Sequence, residues 1–244
     1  MWLYVVNARG SGVRRLALCG NCVSSSRVSW SSDGSRIAFV RTDGLHVVRV
    51  RTRAQRRVST GFVLDPAWSP TGPLIAFGRG HALYTVDPRN GRVEQVVTIT
   101  GVVSHPSWSP DGTKIVFDGI DQIYVVGADG SGLTLLRSGS QGSGPGAPAW
   151  SPSGDRILFF NTPGTPGAFT AEIWTMKPDG SDARRLYASP CCVGLWSPPI
   201  WSPDGKWISF SADSAGGIFV MAPEGKQRHR LSEVPTEVAW QPLP

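Results

Sequence analysis

The sequence lacks the features of a membrane-spanning chain or of a secretory precursor. None of its 244 residues belongs to a run of the roughly 18 consecutive apolar residues that a transmembrane helix requires. Met1–Gly10 do not place a basic stretch before a long apolar one, so they do not match a secretory signal. This segment has the pattern of a β-strand instead.

Motifs of common enzyme classes are also missing. Gly142-Ser143-Gly144 belongs to a glycine-rich loop, not to the strand-to-helix turn of a hydrolase nucleophile. No phosphate-binding glycine loop leads into a helix, because no segment has a plausible helical pattern. We therefore expect no catalytic residues, no cofactor and no metal, while an enzymatic activity is left open.

Lysine is scarce. Only four of the 24 basic residues are lysines, and with 18 acidic residues the formal net charge is +6. The arginine excess fits a GC-rich bacterial genome as well as a polyanion-binding role, so we expect a bacterial protein. Net charge bears on solubility and non-specific association rather than on the fold.

What the sequence does contain is a repeat built on tryptophan. Five times a tryptophan is followed after four residues by glycine and then by an Ile-x-Phe run. The runs are Ile37–Phe39, Ile75–Phe77, Ile115–Phe117, Ile157–Phe159 and Ile208–Phe210. Each unit of 38–51 residues adds two further β-rich runs separated by a turn signal such as Asn90-Gly91. Four short strands per unit are typical of a β-propeller blade.

We predict one all-β domain, residues 1–244, that forms a six-bladed β-propeller of four-stranded antiparallel blades. Five blades span about residues 29–60, 66–98, 106–137, 148–187 and 199–231. The sixth combines residues 1–18 with residues 236–242, which closes the ring and removes a free sheet edge. Its second strand is missing, so either this blade has three strands or residues upstream of Met1 supply the fourth. The second alternative is the one we favour.

The phrase Pro-x-Trp-Ser-Pro-Asp-Gly-x-x-Ile-x-Phe at Pro106–Phe117 resembles the repeat of TolB-like (WD-repeat-like) propellers. The resemblance covers essentially the whole chain and implies the fold more specifically than the function. TolB-like propellers include periplasmic partners of peptidoglycan-associated lipoprotein, gating domains of serine peptidases and some polysaccharide lyases. The resemblance implies a periplasmic or secreted protein. Because neither TolB's amino-terminal α/β domain nor a hydrolase domain is present, we expect neither a full TolB role nor peptidase activity.

The turns of each blade are expected to fall on two opposite faces. The turn face carries the turns after the first and third strands, and the loop face carries the turns after the second strand and the connections between blades. The longest segments all belong to the loop face: Cys19–Arg27, Ser138–Pro148, Asn161–Thr170 and Ala188–Pro198. Length variation on one face of a repeat protein indicates its binding face.

Residues three positions before each tryptophan are expected to ring the central mouth on the loop face. Glu237, Arg27, Asp65 and His105 follow one another around this ring and alternate in charge, apart from the histidine. A self-compensating ring of hydrogen-bonded charges is the interpretation that we favour. The alternative is a pocket for a ligand, an ion or a partner's peptide.

A protein partner is also indicated by Trp196, which repeats the start of the unit out of register. With Phe169 and Leu195 it offers an apolar anchor of the kind found at interface hot spots, although it could equally cap the core. We therefore predict a monomeric, non-catalytic protein- or peptide-binding scaffold. The alternative is a carbohydrate-active enzyme, or a small-ligand or metal-binding protein, with its site in the central funnel. The lyases that this fold resembles use several histidines at the mouth, where only His105 is expected here.

The four cysteines, Cys19, Cys22, Cys191 and Cys192, allow three pairings. We favour local disulfides, 19 with 22 and 191 with 192, in an oxidising compartment. Free thiols and a metal site are the alternatives, and a zinc site would need ligands from both pairs.

The remaining histidines and arginines have plainer interpretations. His46 takes the slot held by aromatic residues in other blades and is predicted to be packed. At most a weak metal site is expected from four residues of the second and third blades, which are His81, His105, Asp118 and Asp121. Five arginines fall on the third and fourth strands of the first blade: Arg49, Arg51, Arg53, Arg56 and Arg57. Charge there discourages edge pairing, and no aromatic residues are interleaved, so nucleic acid is not expected as a partner.

Overall fold

The fold is made of short antiparallel sheets. A computed structural model describes residues 2–5, 14–18, 27–140, 142–164, 170–189, 197–211 and 217–232. Five sheets of four strands follow one another along the chain, and each runs in sequence order from its first to its fourth strand. This confirms the predicted all-β propeller with four-stranded antiparallel blades.

The strands of the five blades have the following bounds. The first blade contains β3 (Ser29–Trp30), β4 (Arg36–Arg41), β5 (Gly44–Arg49) and β6 (Gln55–Thr60). The second contains β7 (Leu64–Trp68), β8 (Ile75–Arg79), β9 (Ala82–Asp87) and β10 (Arg92–Thr98). The third contains β11 (Ser104–Trp108), β12 (Lys114–Gly119), β13 (Gln122–Gly127) and β14 (Thr134–Ser138). The fourth contains β15 (Pro145–Trp150), β16 (Ile157–Asn161), β17 (Glu172–Met176) and β18 (Arg184–Ala188). The fifth contains β19 (Ser197–Trp201), β20 (Ile208–Ser211), β21 (Ile218–Met221) and β22 (His229–Ser232).

The core lies between neighbouring blades. The phenylalanine of every Ile-x-Phe run is at most 2% exposed: Phe39, Phe77, Phe117, Phe159 and Phe210. Each faces a ring on the third strand of its own blade, with centroids 5.6–6.4 Å apart. In the first blade that ring is His46, which is buried, so its predicted packing role is confirmed. One apolar cluster joins Val47 of the first blade to Phe77 of the second, which ties adjacent blades together by apolar burial.

Polar bonds add to this contact between blades. The hydroxyl of Ser29 accepts the N–H of Trp68 at 2.9 Å, and the hydroxyl of Ser107 accepts the N–H of Trp150 at 3.1 Å. The indole N–H of Trp108 donates to the carbonyl of Ala67 at 3.0 Å. The repeated tryptophan therefore links the first strands of neighbouring blades, which are the innermost strands of the propeller.

The start of the chain forms a further sheet of two strands, β1 (Trp2–Val5) and β2 (Arg14–Leu18), which pair antiparallel. Leu16 and Ala17 of β2 share an apolar cluster with Phe39 of the first blade. Residues 236–242, predicted to complete a sixth blade with residues 1–18, lie outside the described residues. In the described part of the chain no helix is long and apolar enough to cross a membrane.

Candidate functional site at the central mouth

The innermost strands of the second, third and fourth blades have a bulge three residues before the tryptophan. Asp65, His105 and Ala147 occupy this position with φ angles of 46°, 47° and 47°, a left-handed conformation that non-glycine residues rarely adopt. Each of these residues is followed by proline, which has no N–H to donate to the sheet. The pairing register between the first and second strands shifts at the same point. The bulge frees the N–H groups of His105 and Ala147 to bond outside the sheet.

Asp65 connects the first three blades. Its side chain is 5% exposed. Its Oδ1 accepts the N–H of Arg27 at 3.1 Å, and its Oδ2 accepts the N–H of His105 at 3.3 Å. The same Oδ2 lies 3.5 Å from Nε2 of the His105 ring. The structure thus brings together Arg27, Asp65 and His105, three of the residues predicted to ring the mouth.

Asp118, on β12, supplies a second carboxylate. Its Oδ1 accepts the hydroxyl of Ser104 at 2.8 Å, and its Oδ2 accepts the N–H of Ala147 at 2.8 Å. Nδ1 of His105 lies 3.1 Å from the same Oδ2. His105 is therefore held between two buried carboxylates, and the hydrogen bonds run without interruption from the first blade to the fourth. We name Arg27, Asp65, His105 and Asp118 the mouth cluster.

The mouth cluster favours a protonated histidine. Burial alone would lower the pKa of His105, but the carboxylates of Asp118 and Asp65 outweigh it and raise that pKa above 6.5. Burial would raise the pKa of Asp118, but His105 and the donors of Ala147 and Ser104 hold it below its usual value. When His105 is protonated, the cluster contains two cations, His105 and Arg27, and two carboxylates, so its charges balance.

Other predicted site residues lie elsewhere. Nδ1 of His81 lies 2.9 Å from the carbonyl of Gly101, and Asp121 accepts the N–H of Gly142 at 2.6 Å. Neither contributes to the mouth cluster, and the described residues include no group of three or more His, Cys, Asp or Glu arranged to hold a metal ion. Several predicted residues lie outside the described residues: Glu237, Phe169, Leu195, Trp196, Cys19, Cys22, Cys191 and Cys192.

Three large apolar side chains are exposed in segments assigned to the loop face, and sequence reasoning missed them. Phe62, Val102 and Ile120 are 61%, 41% and 61% exposed. Phe62 and Val102 stand at the same place in the repeat, six residues before the tryptophan, and Gly101 packs against Ile120. We name these three residues the apolar rim. Leu195 also stands six residues before a repeat tryptophan. Because it had been predicted to bind a partner, its offset could have pointed to Phe62 and Val102 as well.

Comparisons with known proteins agree on the fold. A family model described as the TolB beta propeller domain matches residues 28–164, more than half of the chain. TolB from Acinetobacter baumannii superposes with a TM-score of 0.77 at 17% identity, covering 99% of this chain and 63% of that one. A protein described as TolB from Agrobacterium tumefaciens gives 0.76 at 21% identity, covering 97% and 92%.

An enzyme is among the similar structures as well. An oligogalacturonate lyase in complex with manganese has a TM-score of 0.64 at 15% identity, covering 93% of this chain and 69% of that one. At such identities the likeness extends to the fold alone. The chain also spans less than two thirds of the Acinetobacter TolB chain.

Proposed function

Because the chain belongs to the TolB β-propeller family, we propose that it is a non-catalytic scaffold that binds a protein or peptide partner through its loop face and central mouth. The observation that carries this proposal is the apolar rim of Phe62, Val102 and Ile120. Large apolar side chains that the fold leaves exposed on its variable face are available for burial in a protein interface.

The mouth cluster supports binding better than catalysis. Both oxygens of Asp118 and both oxygens of Asp65 already accept hydrogen bonds from the chain itself. The side chains of Asp65 and Asp118 are only 5% and 7% exposed, so a substrate proton has little access to the remaining lone pairs. We infer that the cluster is a rigid, charge-balanced floor on which the partner rests.

The proposed interface includes predicted residues beyond the described part of the chain. We propose that Phe169, Leu195 and Trp196 extend the apolar rim around the loop face, and that Glu237 completes the charged ring. Tryptophan and other aromatic anchors contribute most of the binding energy at many interfaces.

We further propose that six blades close the ring, with Trp240 on the innermost strand of the sixth. Ser211 supports this, because it follows Phe210 as Asp118 follows Phe117, and Asp118 accepts the N–H of the next blade. The hydroxyl of Ser211 is buried and has no hydrogen-bond partner among the described residues. By the same register we expect the N–H of Glu237 to be its partner.

Site-specific photo-crosslinking in the native cells tests the proposed interface. A photoreactive residue is placed at position 62, 102 or 120, and at position 133 as a control. Leu133 is exposed like the rim residues but lies beside a turn on the opposite face. We expect one shared protein adduct from the three rim positions and none of it from position 133. Adducts that are identical at all four positions, or absent from the rim, would contradict the proposal.

We also propose that the protein works in the periplasm or is secreted, with disulfides Cys19–Cys22 and Cys191–Cys192. The membership of the TolB family supports this location. Alkylation of protein isolated without reductant, followed by intact-mass measurement, should label none of the four cysteines. Labelling of all four would contradict the location and the disulfides together.

The alternative function is that of a carbohydrate-active enzyme. It is favoured by the structural likeness to an oligogalacturonate lyase, whereas the single histidine of the mouth cluster argues against it. Incubation with oligogalacturonate and manganese, followed by chromatography, distinguishes the two functions. Cleavage that is lost in His105→Ala would support the enzyme and overturn the scaffold.

A further inference from the structure

The turn between the third and fourth strands of the first blade differs in charge from its equivalents. In the other four blades this turn contains an acidic residue: Asp87, Asp129, Asp179 and Glu224. In the first blade the turn reads Arg49-Val50-Arg51-Thr52-Arg53-Ala54, and no acidic residue occurs between Asp43 and Asp65. We name residues 49–57 the arginine hairpin. Its five arginines are all exposed: Arg49, Arg51, Arg53, Arg56 and Arg57.

Arg53 has a backbone conformation that glycine would adopt more easily. Its N–H donates to the carbonyl of Arg49 at 2.8 Å, as the N–H of Gly91 donates to the carbonyl of Asp87 in the second blade. The φ angles are 60° for Arg53 and 78° for Gly91. Glycine has no Cβ and takes this left-handed conformation without penalty, whereas arginine does not. Asp182 and Gln227 have similar φ angles, 52° and 54°, in the corresponding turns of the fourth and fifth blades, so what sets Arg53 apart is its charge.

The positive charge of the hairpin is not balanced by the fold. Among the described residues no ion pair involves Arg49, Arg51 or Arg53. Arg36 stands directly opposite Arg49 in the register of β4 and β5, and like charges in that arrangement repel. Asp43 contacts only the far end of the hairpin, at Arg57.

Two further acidic residues interact with arginines beside the turn, and neither balances the positive charge at the tip of the turn. Asp33 interacts with Arg36, and Asp87 interacts with Arg56. Both carboxylates are already engaged, Asp33 with serine hydroxyls and Asp87 with Arg89. An external anion is therefore the group that would relieve the repulsion.

We propose that the arginine hairpin is a second docking surface, which binds an acidic, extended segment of a protein partner. Guanidinium groups bind carboxylates bidentately, and several on one hairpin match carboxylates spaced along a chain. Residues 49–57 contain no aromatic side chain for stacking on nucleic-acid bases. Val50 is half-buried against the first blade, so no large apolar side chain is free to enter a lipid surface. The hairpin projects at the turn face, away from the apolar rim, and the inference is independent of the loop-face interface.

Fluorescence anisotropy with a labelled decaglutamate peptide tests this surface. The variant combines Arg49→Ser, Arg51→Ser and Arg53→Gly, of which the last also relieves the backbone strain. We expect the Kd for the peptide to rise about tenfold, as the loss of three exposed ion pairs predicts. Arg53→Gly alone should weaken binding while its Tm stays equal to or above that of the wild type, which separates lost binding from lost folding.

A charge-matched control removes the same net charge elsewhere. Arg92→Ser, Arg184→Ser and Lys206→Ser combine three exposed cations that are paired with acids. This variant should bind decaglutamate with an unchanged Kd. If the Kd rises equally in both variants, the binding depends on net charge alone, and the proposal is overturned. Hairpin-dependent binding that is tighter to duplex DNA or to anionic vesicles than to decaglutamate would overturn the choice of an acidic protein segment.

Discussion

The two faces of the propeller use the same repeat in different ways. On the turn face the serine after the tryptophan makes the same bonds in the first, third and fifth blades. Its hydroxyl accepts the N–H five residues later and donates to the aspartate two residues later: Ser31 with Asp33, Ser109 with Asp111 and Ser202 with Asp204. These bonds stay within one turn and serve the fold of one blade.

On the loop face the repeated position is occupied differently in each blade. Three residues before the tryptophan stand Arg27, Asp65, His105 and Ala147, and their bonds cross from blade to blade. Uniform positions thus stabilise single blades, whereas varied positions couple the blades and surround the mouth. The comparison predicts two extremes of stability on the loop face. Substituting its buried polar residues should lower the free energy of unfolding most, and substituting its exposed apolar residues should lower it least.

The largest effect is expected from Asp118→Ala. This change removes the acceptor of the Ala147 N–H and one of the two buried carboxylates that contact His105. Breaking a buried ion pair on one side lowers the free energy of unfolding by about 3–5 kcal/mol. Urea denaturation measures the loss. The exposed turn-face carboxylate of Asp129 provides the control, since Asp129→Ala should change stability far less; similar losses in the two variants would show that the mouth cluster is not special.

A second difference is expected in the response to pH. The pKa of His105 is raised, so its contribution to stability is present below pH 6.5 and is lost as the pH rises through the higher folded value. The pKa of Asp118 is lowered, so its contribution is present above its unfolded value and is lost as the pH falls through the lower folded one. The turn-face Asp33 has a pKa of about 2 and changes charge only in acid.

Chemical denaturation across pH tests this difference. We expect the stability of the wild type to fall as the pH rises from 6.5 through the folded pKa of His105, and His105→Gln to remove that fall. Asp33→Asn should leave the alkaline side unchanged. An unaltered profile in His105→Gln would mean that the histidine does not titrate between the two carboxylates.

On the turn face we expect a smaller effect from Ser109→Ala. The change removes the acceptor of the partly buried N–H of Lys114, which lies 2.9 Å from the hydroxyl. Loss of such a hydrogen bond costs about 0.5–1.5 kcal/mol of unfolding free energy. Thermal and urea unfolding measure it, with Ser131→Ala on an exposed turn as the control. A loss as large as that of Asp118→Ala would erase the contrast between the two faces.

The sequence predicts the repeated parts of this molecule and fails where a repeated position departs from the pattern. The spacing of tryptophan, glycine and Ile-x-Phe was enough for the five four-stranded blades, and the offset before the tryptophan brought Arg27, Asp65 and His105 together. Asp118 was assigned only to a weak metal site. Its contact with His105 depends on the bulge at His105, and left-handed φ angles at non-glycine residues leave no clear mark in a sequence.

Exposure was also hard to foresee. Phe62 and Val63 are adjacent and both apolar, yet Val63 is fully buried and Phe62 is 61% exposed. The connection between blades has no alternating pattern that would separate an inward residue from an outward one. A single apolar residue beside a core residue therefore looks like core from the sequence.

The smallest effect on stability is expected from Phe62→Ser, and its comparison with Val63→Ala is the sharpest test of the apolar rim. Phe62→Ser removes no buried contact, so the free energy of unfolding should change by no more than about 0.5 kcal/mol. Val63→Ala opens a cavity in the cluster that joins the first two blades and should cost about 1–3 kcal/mol. If Phe62→Ser destabilises as much as Val63→Ala, Phe62 belongs to the core and the rim loses its largest member. If it leaves folding intact and abolishes the crosslinked adduct, the exposed phenylalanine serves binding rather than stability.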